Sequence, residues 1–402
     1  MASRSDTATA ADDAAESVAA TLSSASFVRL LARADGDGLA AAGLLARALR
    51  RTGVPFQVRV DAVRTDALSG GDGLVVGVGS NHATADVTVA PEAGPASLPA
   101  YRIAAAVTDG SDAATPDPVL ALAGVVAGGA HPASVAAELV EAAETAGALV
   151  RQPGVATPVD DAVDGLTHST LLHAPFSGDR DATASAVSSL RLPDDEADAD
   201  ADAESRRSIA SRVALAIAGD DDATPWAADA VERVLRPYTT PEAPVATLGG
   251  FADVLTATAR ERPGTGVALA LGHGGRDAAL DAWREHGRAV HHGLDAASTT
   301  RHDGVFAVRV EGEVAGTPGR LATLARLARD FRSPEPLVVA VGDGIAAVSA
   351  RESGAAAAAA TLAAEFPSAK AASTGASTRA LARFDADTPV AEIVAAIREE
   401  ST

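Results

Sequence analysis

Residues 27–49 read FVRLLARADGDGLAAAGLLARAL, and the fold turns on how this stretch is parsed. A short apolar run, FVRLLA, breaks at Ala34-Asp35-Gly36-Asp37-Gly38 and resumes as an Ala/Leu-rich segment. The run has the length of a buried parallel strand, and the segment after it has helical periodicity, closed by Gly53 where a helix C-cap belongs. Two aspartates, two residues apart, thus sit where a strand hands over to a helix. Beyond them FQVRVDAV, GDGLVVGVGS, ADVTVAP and YRIAAAV read as strands and PVLALAGVVAGG as a helix. Such alternation implies an α/β domain with a doubly wound parallel sheet, whose ligand crevice lies at the carboxyl ends of the strands. Asp35 and Asp37 fall at that end of the first strand.

The chain has 402 residues, 47% of them hydrophobic, enough for two or three cored domains and too apolar for a disordered protein. Its formal charge is −21, and Lys370 is the only lysine among many arginines. This is the composition of a protein kept soluble by an acidic shell in a salty cytoplasm, so the acidity says little about partners. It does argue against non-specific coating of DNA, while leaving room for a local arginine groove. The absence of cysteine excludes disulfides, thiolate zinc sites and a cysteine nucleophile. No apolar run approaches the roughly 18 residues of a membrane span, and the opening MASRSDTATAADDAAESVAA lacks a signal-peptide core. A cytoplasmic location with no membrane contact is expected.

The linear organisation expected is an acidic N-terminal tail over 1–20, a first domain over 21–192, an acidic insertion over 193–207, a helical connector over 208–240 and a second α/β domain with a mixed sheet over 245–402. In the second domain GVALALGHGG, GVFAVRVEG, PLVVAVGDG and IAAVSARESG read as strands. The segments DAALDAWREHGRAVHHGLD, TPGRLATLARLARDF and AAAAAATLAAEF read as helices.

The order of strand, Asp-x-Asp-Gly and Ala-rich helix resembles the first motif of the DHH phosphoesterase superfamily, and the chain as a whole resembles its archaeal RecJ-like branch. The family opens on His-x-Asp-x-Asp-Gly, and here Arg33 stands at the histidine position. At the far end PLVVAVGDGIAAVSARESG resembles the DHH-associated C-terminal domain, whose Ser-x-Arg, here Ser349 and Arg351, faces the substrate cleft. The stretch GGFADVLTATARERPGTGVALALG and the helix TPGRLATLARLARDF also look like archaeal members. The resemblance covers most of residues 21–402. It implies an N-terminal DHH-like domain and a C-terminal DHH-associated domain.

In active members two Mn²⁺ or Mg²⁺ ions polarise a phosphodiester and generate hydroxide within a cluster of carboxylates and histidines. Asp35 and Asp37 match two of those ligands. At the position of the second motif stands Gly77; the Asp-His-His triplet has no counterpart in ADVTVAPEAG, its nearest histidine being His82 upstream. At the fourth motif stand Gly128 and Gly129, and Thr374-Gly375-Ala376 replaces the C-terminal Gly-Gly-His. The metal cage is expected to be dismantled, with no cofactor, or with Mn²⁺ or Mg²⁺ if activity survives. Asp35 and Asp37 equally suit the capping of the helix that follows them.

Ser349 and Arg351 alternate on a strand and suit a phosphate or nucleic-acid contact, or an ion pair with a nearby acid. His273, in LGHGG at an expected strand exit, is a further candidate for that cleft. His168 and His173, and His286, His291 and His292, are expected to be packing or surface residues, the last three forming a solvated helix face or a helix-end charge complement. The resemblance implies a catalytically degenerate RecJ-like scaffold of replication or repair that binds GINS or other replisome proteins, together with single-stranded DNA. The runner-up is an active metal-dependent single-strand exonuclease or phosphodiesterase. A third reading, a small-nucleotide sensor, would keep Arg351 and need no metal.

Overall fold

The structure, a computed structural model, describes residues 4–61, 73–80, 84–89, 94–109, 115–188, 199–366, 370–373 and 378–400. The chain divides into two compact units, neither continuous in sequence: Met1–Leu149 with Val254–Ala279, and Val150–Asp253 with Leu280–Thr402. Residues 254–279, grouped with the C-terminal domain by the linear reading, thus belong to the first unit. No helix among the described residues is long and apolar enough to cross a membrane.

The first unit comprises α1 (Arg4–Ser24), β1 (Val28–Arg33), α2 (Gly36–Thr52), β2 (Phe56–Asp61), β3 (Leu74–Val78), β4 (Val87–Val89), α3 (Ser97–Thr108), α4 (Pro118–Ala127), α5 (Pro132–Val135) and α6 (Ala137–Thr145). The strands form a four-stranded sheet in the order β2-β1-β3-β4, parallel throughout. The order reverses between β1 and β3, so the switch point at which such sheets open a crevice lies at the ends of these two strands. Helix α2 is buried almost all round, from Leu39 to Leu49, and packs against α3 and α4.

Three expectations on local structure need correction here. Residues 101–107, read as a strand, lie in α3. Ala100, Ile103, Ala104 and Val107 are its buried positions, and that spacing of three and four is helical, masked in sequence by alanine on the other faces. Residues 1–20, read as an acidic tail, are helical from Arg4, with Ala15, Ala19 and Leu22 buried at helical spacing. The acidic stretch 193–207 is helical from Ala199 onward, its earlier part lying outside the described residues.

The second unit begins with β5 (Val150–Arg151), α7 (Ala162–His168), α8 (Arg180–Ser188), α9 (Ala199–Ala218), α10 (Pro225–Glu232) and β6 (Tyr238–Thr239), β5 and β6 forming a short ribbon. The chain passes between the units within α11 (Leu248–Glu261), contributes α12 (Pro263–Ala270) to the first, and returns within α13 (Arg276–Asp295). A sheet follows, made of β7 (Ser298–His302), β8 (Val305–Arg309), β9 (Leu337–Gly342), β10 (Ile345–Ala350), β11 (Lys370–Ser373) and β12 (Arg379–Arg383). Its order is β11-β12-β10-β9-β8-β7; β8 and β9 are parallel and every other pair antiparallel, the mixed sheet expected. One face packs on α14 (Pro318–Leu327), which runs into a π turn at Ala328–Arg332; the other packs on α15 (Ala355–Glu365) and α16 (Val390–Glu400).

Residues 266–270, read as part of a strand, form the end of α12, started by Pro263 in its first turn, a place proline suits. The solvated helix face expected of His286, His291 and His292 is also corrected, since His286 and His291 are fully buried in α13. His286 bonds the hydroxyl of Thr323 at 2.8 Å. His291 Nε2 donates to the carbonyl of Ser169 at 3.0 Å, leaving Nδ1 to accept from His173 Nδ1 at 3.0 Å, and Arg332 donates to His173 Nε2 at 2.9 Å. Each imidazole therefore donates once and accepts once. Burial, with His173 adding to it, holds His291 down to about 3 from its ordinary 6.5.

Close packing and this buried imidazole each make a prediction for α13. A Cβ on Gly287 would collide with the carbonyl oxygen of His168, so Gly287→Ala should cost about 2–4 kcal/mol, read as a lowered midpoint in chemical denaturation. Unfolding releases His291 to titrate near 6.5 while the folded state keeps it neutral until about 3. Below pH 6.5 the unfolded chain therefore binds more protons, and this site's contribution to stability falls by about 1.4 kcal/mol per pH unit as pH drops toward 3. Denaturation curves between pH 7 and 4 should be steeper in pH for the wild type than for His291→Gln.

Candidate functional site

The strand-to-helix turn places Arg33, Asp35 and Asp37 together at the switch point between β1 and β3. Asp35 is the N-cap of α2: its Oδ1 accepts the backbone N–H of Gly38 at 2.8 Å. Gly38 is required by close approach, since a Cβ there would lie 2.5 Å from the carbonyl oxygen of Arg33 and 3.0 Å from its Cβ. Asp37 points the other way, to the start of α3, where it accepts the N–H of Ala96 at 2.8 Å and of Ser97 at 3.0 Å. Both carboxylates thus engage helix N-termini, whose free N–H groups and dipoles favour negative charge.

Between them lies the guanidinium of Arg33. Its Nε donates to Asp35 Oδ2 at 2.5 Å, an NH2 hydrogen goes to Asp37 Oδ2 at 3.0 Å, and NH1 donates to the carbonyl of Gly79, just past the end of β3. Asp35 and Asp37 are buried, Asp37 completely, and the Arg33 side chain is partly buried. Burial pushes the Asp37 carboxyl up and Asp35's charge adds to this, while Arg33 and the two backbone N–H groups oppose it. Every contact on Asp37 is a donor, which is the shell of a carboxylate rather than an acid. Burial opposes the charge of Arg33, yet the two carboxylates outweigh it and hold the guanidinium above its ordinary value.

These residues do not fit a pair of divalent ions. The Oδ2 atoms of Asp35 and Asp37 are both engaged by a cation of the chain itself. Gly77, Gly128 and Gly129 bring no donor side chain, and no group of three or more metal-ligating side chains occurs among the described residues. His82 and Thr374-Gly375-Ala376 lie outside the described residues.

The other candidates stand as follows. His273 is not at a strand exit; it follows α12 in a turn where Gly272, Gly274 and Gly275 have positive φ, and its Nε2 meets a guanidinium nitrogen of Arg50. Ser349, in β10 of the second unit, is buried with an unpartnered Oγ. Arg351 follows at the strand end, its guanidinium stacked 4.3 Å from the centroid of the Trp226 ring. Its NH2 donates to the carbonyls of Arg329 at 2.6 Å and Ser333 at 3.3 Å, and its Nε is buried without a partner. Burial pushes Arg351 down to about 10; Asp330 opposes this, and the nearby Arg329 and Arg233 add to it. Arg351, expected on the strand with Ser349, lies one residue past the end of β10.

Sequence reasoning passed over Asp253. It is buried in α11 and accepts Thr170 N at 3.0 Å, Thr170 Oγ1 at 2.5 Å, Ser169 Oγ at 3.3 Å and Trp283 Nε1 at 2.8 Å. Arg326 donates to the Thr170 carbonyl at 2.7 Å, closing a buried network. The only sign in sequence was an aspartate at an apolar position of the helix FADVL.

The protein rrnAC1427 of Haloarcula marismortui, described as uncharacterized, is 43% identical over 388 residues, 95% of each chain. The family model for its C-terminal domain matches residues 297–399. Among solved structures, CDC45 from Entamoeba histolytica superposes with a TM-score of 0.59 at 9% identity, covering 96% of this chain and 98% of that one. RecJ from Thermus thermophilus, solved with Mn²⁺, gives 0.52 at 13% identity, and the chain spans 97% of itself but about half, 54%, of that RecJ. At such identities the likeness is one of fold. With a parallel sheet carrying the Asp-x-Asp turn and a separate mixed sheet carrying Ser-x-Arg, the chain belongs to the family of the haloarchaeal protein rrnAC1427 and has the RecJ-like fold shared with CDC45.

Proposed function

We propose that this protein uses the RecJ fold without hydrolysing phosphodiesters, as a scaffold in DNA replication or repair that binds GINS and single-stranded DNA. One observation carries the loss of catalysis: the two aspartates that a metal pair would need are engaged by Arg33 and by the N-termini of α2 and α3. Removing even one member of a catalytic unit typically costs orders of magnitude in rate. The resemblance to archaeal RecJ-like proteins, which associate with GINS, supports that partner, and the likeness in fold to CDC45 over the whole chain is consistent with it. For single-stranded DNA the support is Arg351, whose guanidinium suits a phosphate and keeps an unpartnered Nε beside the exposed Trp226.

In molar KCl with Mn²⁺, the wild type should leave end-labelled single-stranded DNA intact under conditions in which a RecJ exonuclease degrades it. Cleavage by the wild type that Asp35→Asn/Asp37→Asn abolishes would instead establish the runner-up, an active exonuclease or phosphodiesterase. The binding arm is read separately: fluorescence anisotropy should show single-stranded DNA bound about tenfold more weakly by Arg351→Gln, the worth of one charge-assisted hydrogen bond. GINS should co-purify with tagged wild type from cells. Unchanged affinity in the variant, or purification without GINS, would remove the corresponding partner from the proposal.

A further inference from the structure

Helix α13 buries most of its surface and leaves one stripe exposed or half-exposed, at Asp281, Glu285, Arg288 and His292. Spacings of four, three and four put these side chains in a line along one face. The stripe is acidic in its N-terminal half and carries nitrogen bases in its C-terminal half. It forms one wall of a hollow of about 620 Å³, opposite the turn that carries Glu311 and Glu313. Both stripe acids are held within the chain, Asp281 by Arg284 at 3.0 Å and Glu285 by the buried Arg320 at 3.0 Å, and Glu313 also meets Arg320. The other guanidinium of this wall, Arg284, bonds Asp164 at 2.8 Å as well. Arg288 differs: it is exposed and makes no ion pair or hydrogen bond among the described residues.

We infer that this hollow is the interface between two copies of the chain, their α13 helices packed antiparallel about a two-fold axis. The order of charge along the stripe selects that occupant. Facing residues in such a pair lie equally far on either side of the axis. With the axis between His286 and Gly287, Glu285 faces the second copy's Arg288, Arg288 faces the second copy's Glu285, and Asp281 faces the second copy's His292. A parallel pair would set acid against acid and base against base. The two-fold repeats each contact and closes the assembly at two chains. Arg288 thereby gains a carboxylate, and Glu285 lies between Arg320 of its own chain and Arg288 of the other. Ala289, beside the stripe in the same hollow, brings no long side chain to hold the two helices apart. None of Asp35, Asp37, Ser349 and Arg351 takes part, so the inference does not rest on the proposed function.

The test uses the whole chain in molar KCl, where screening leaves only charges in direct contact to act. Sedimentation equilibrium of the wild type should show its mass rising from one chain to two, with a dissociation constant of about micromolar, since one helix pair buries less than the roughly 1,200 Å² of tight complexes. Arg288→Glu removes no ion pair or hydrogen bond among the described residues and should weaken the dimer at least about tenfold, by setting like charges face to face. Arg212→Glu, exposed on α9, changes the net charge equally and should leave the dimer as it is. The chain has no cysteine, so single-cysteine variants report register directly. A short bismaleimide should join Ala289→Cys chains and not Ala296→Cys chains, whose copies lie roughly 8 and 30 Å apart along the helices. A wild type that stays monomeric throughout, leaving the hollow to some other partner, would overturn the inference. So would a dimer indifferent to Arg288→Glu, or one cross-linked equally at both alanine positions.

Discussion

The first unit depends on the ion triad of Arg33 with Asp35 and Asp37. Two buried carboxylates at the carboxyl end of a parallel sheet require positive charge, and without it the cost of ionisation would oppose folding. Most of the compensation comes from the chain itself: a guanidinium from the end of β1, the N-terminus of α2 and the N-terminus of α3. Leaving a buried charge without its partner typically costs about 3–5 kcal/mol, so β1, β3, α2 and α3 are coupled through this point. The same contacts lie at the switch point that the sheet's strand order creates.

The second unit handles its polar groups differently. There a carboxylate, Asp253, is sealed among hydroxyls, an indole N–H and a backbone N–H, and Arg326 binds the same segment through Thr170. Two stacked imidazoles, His173 and His291, are buried within a connected set of hydrogen bonds to Ser169 and Arg332. These networks are satisfied and rigid. In contrast, Ser349 Oγ and Arg351 Nε are buried and unsatisfied, as is Thr224 Oγ1.

Much of this was legible in the sequence where the signal is local. The strand, the Asp-x-Asp-Gly turn and the helix closed by Gly53 are fixed by neighbours within one turn, and β1–β4 and β8–β10 followed from the apolar runs, whereas β7, β11 and β12 were not read. The role of Arg33 was not legible. Its partner Gly79 is 46 residues away, and the N–H groups that hold Asp37 are 59 and 60 residues from it. Read alone, Arg33 was a departure from the histidine position, whereas in the fold it is the cation between the two aspartates. Alanine-rich composition hid the helices over 101–107 and 266–270, because alanine fills a strand or a helix face without marking which one is buried. His286 and His291 were read as solvated because polar residues flank them, while their burial depends on distant partners, Thr323 and Ser169.

The central claim is that the cation between Asp35 and Asp37 belongs to the chain. Its most direct test is a crystal of the wild-type protein grown with Mn²⁺ in molar KCl, with an anomalous difference map recorded above the manganese absorption edge. The account predicts no anomalous peak at the two carboxylates and density for the Arg33 guanidinium bridging them to Gly79. One or two manganese peaks there, with Arg33 swung out of the crevice, would contradict it.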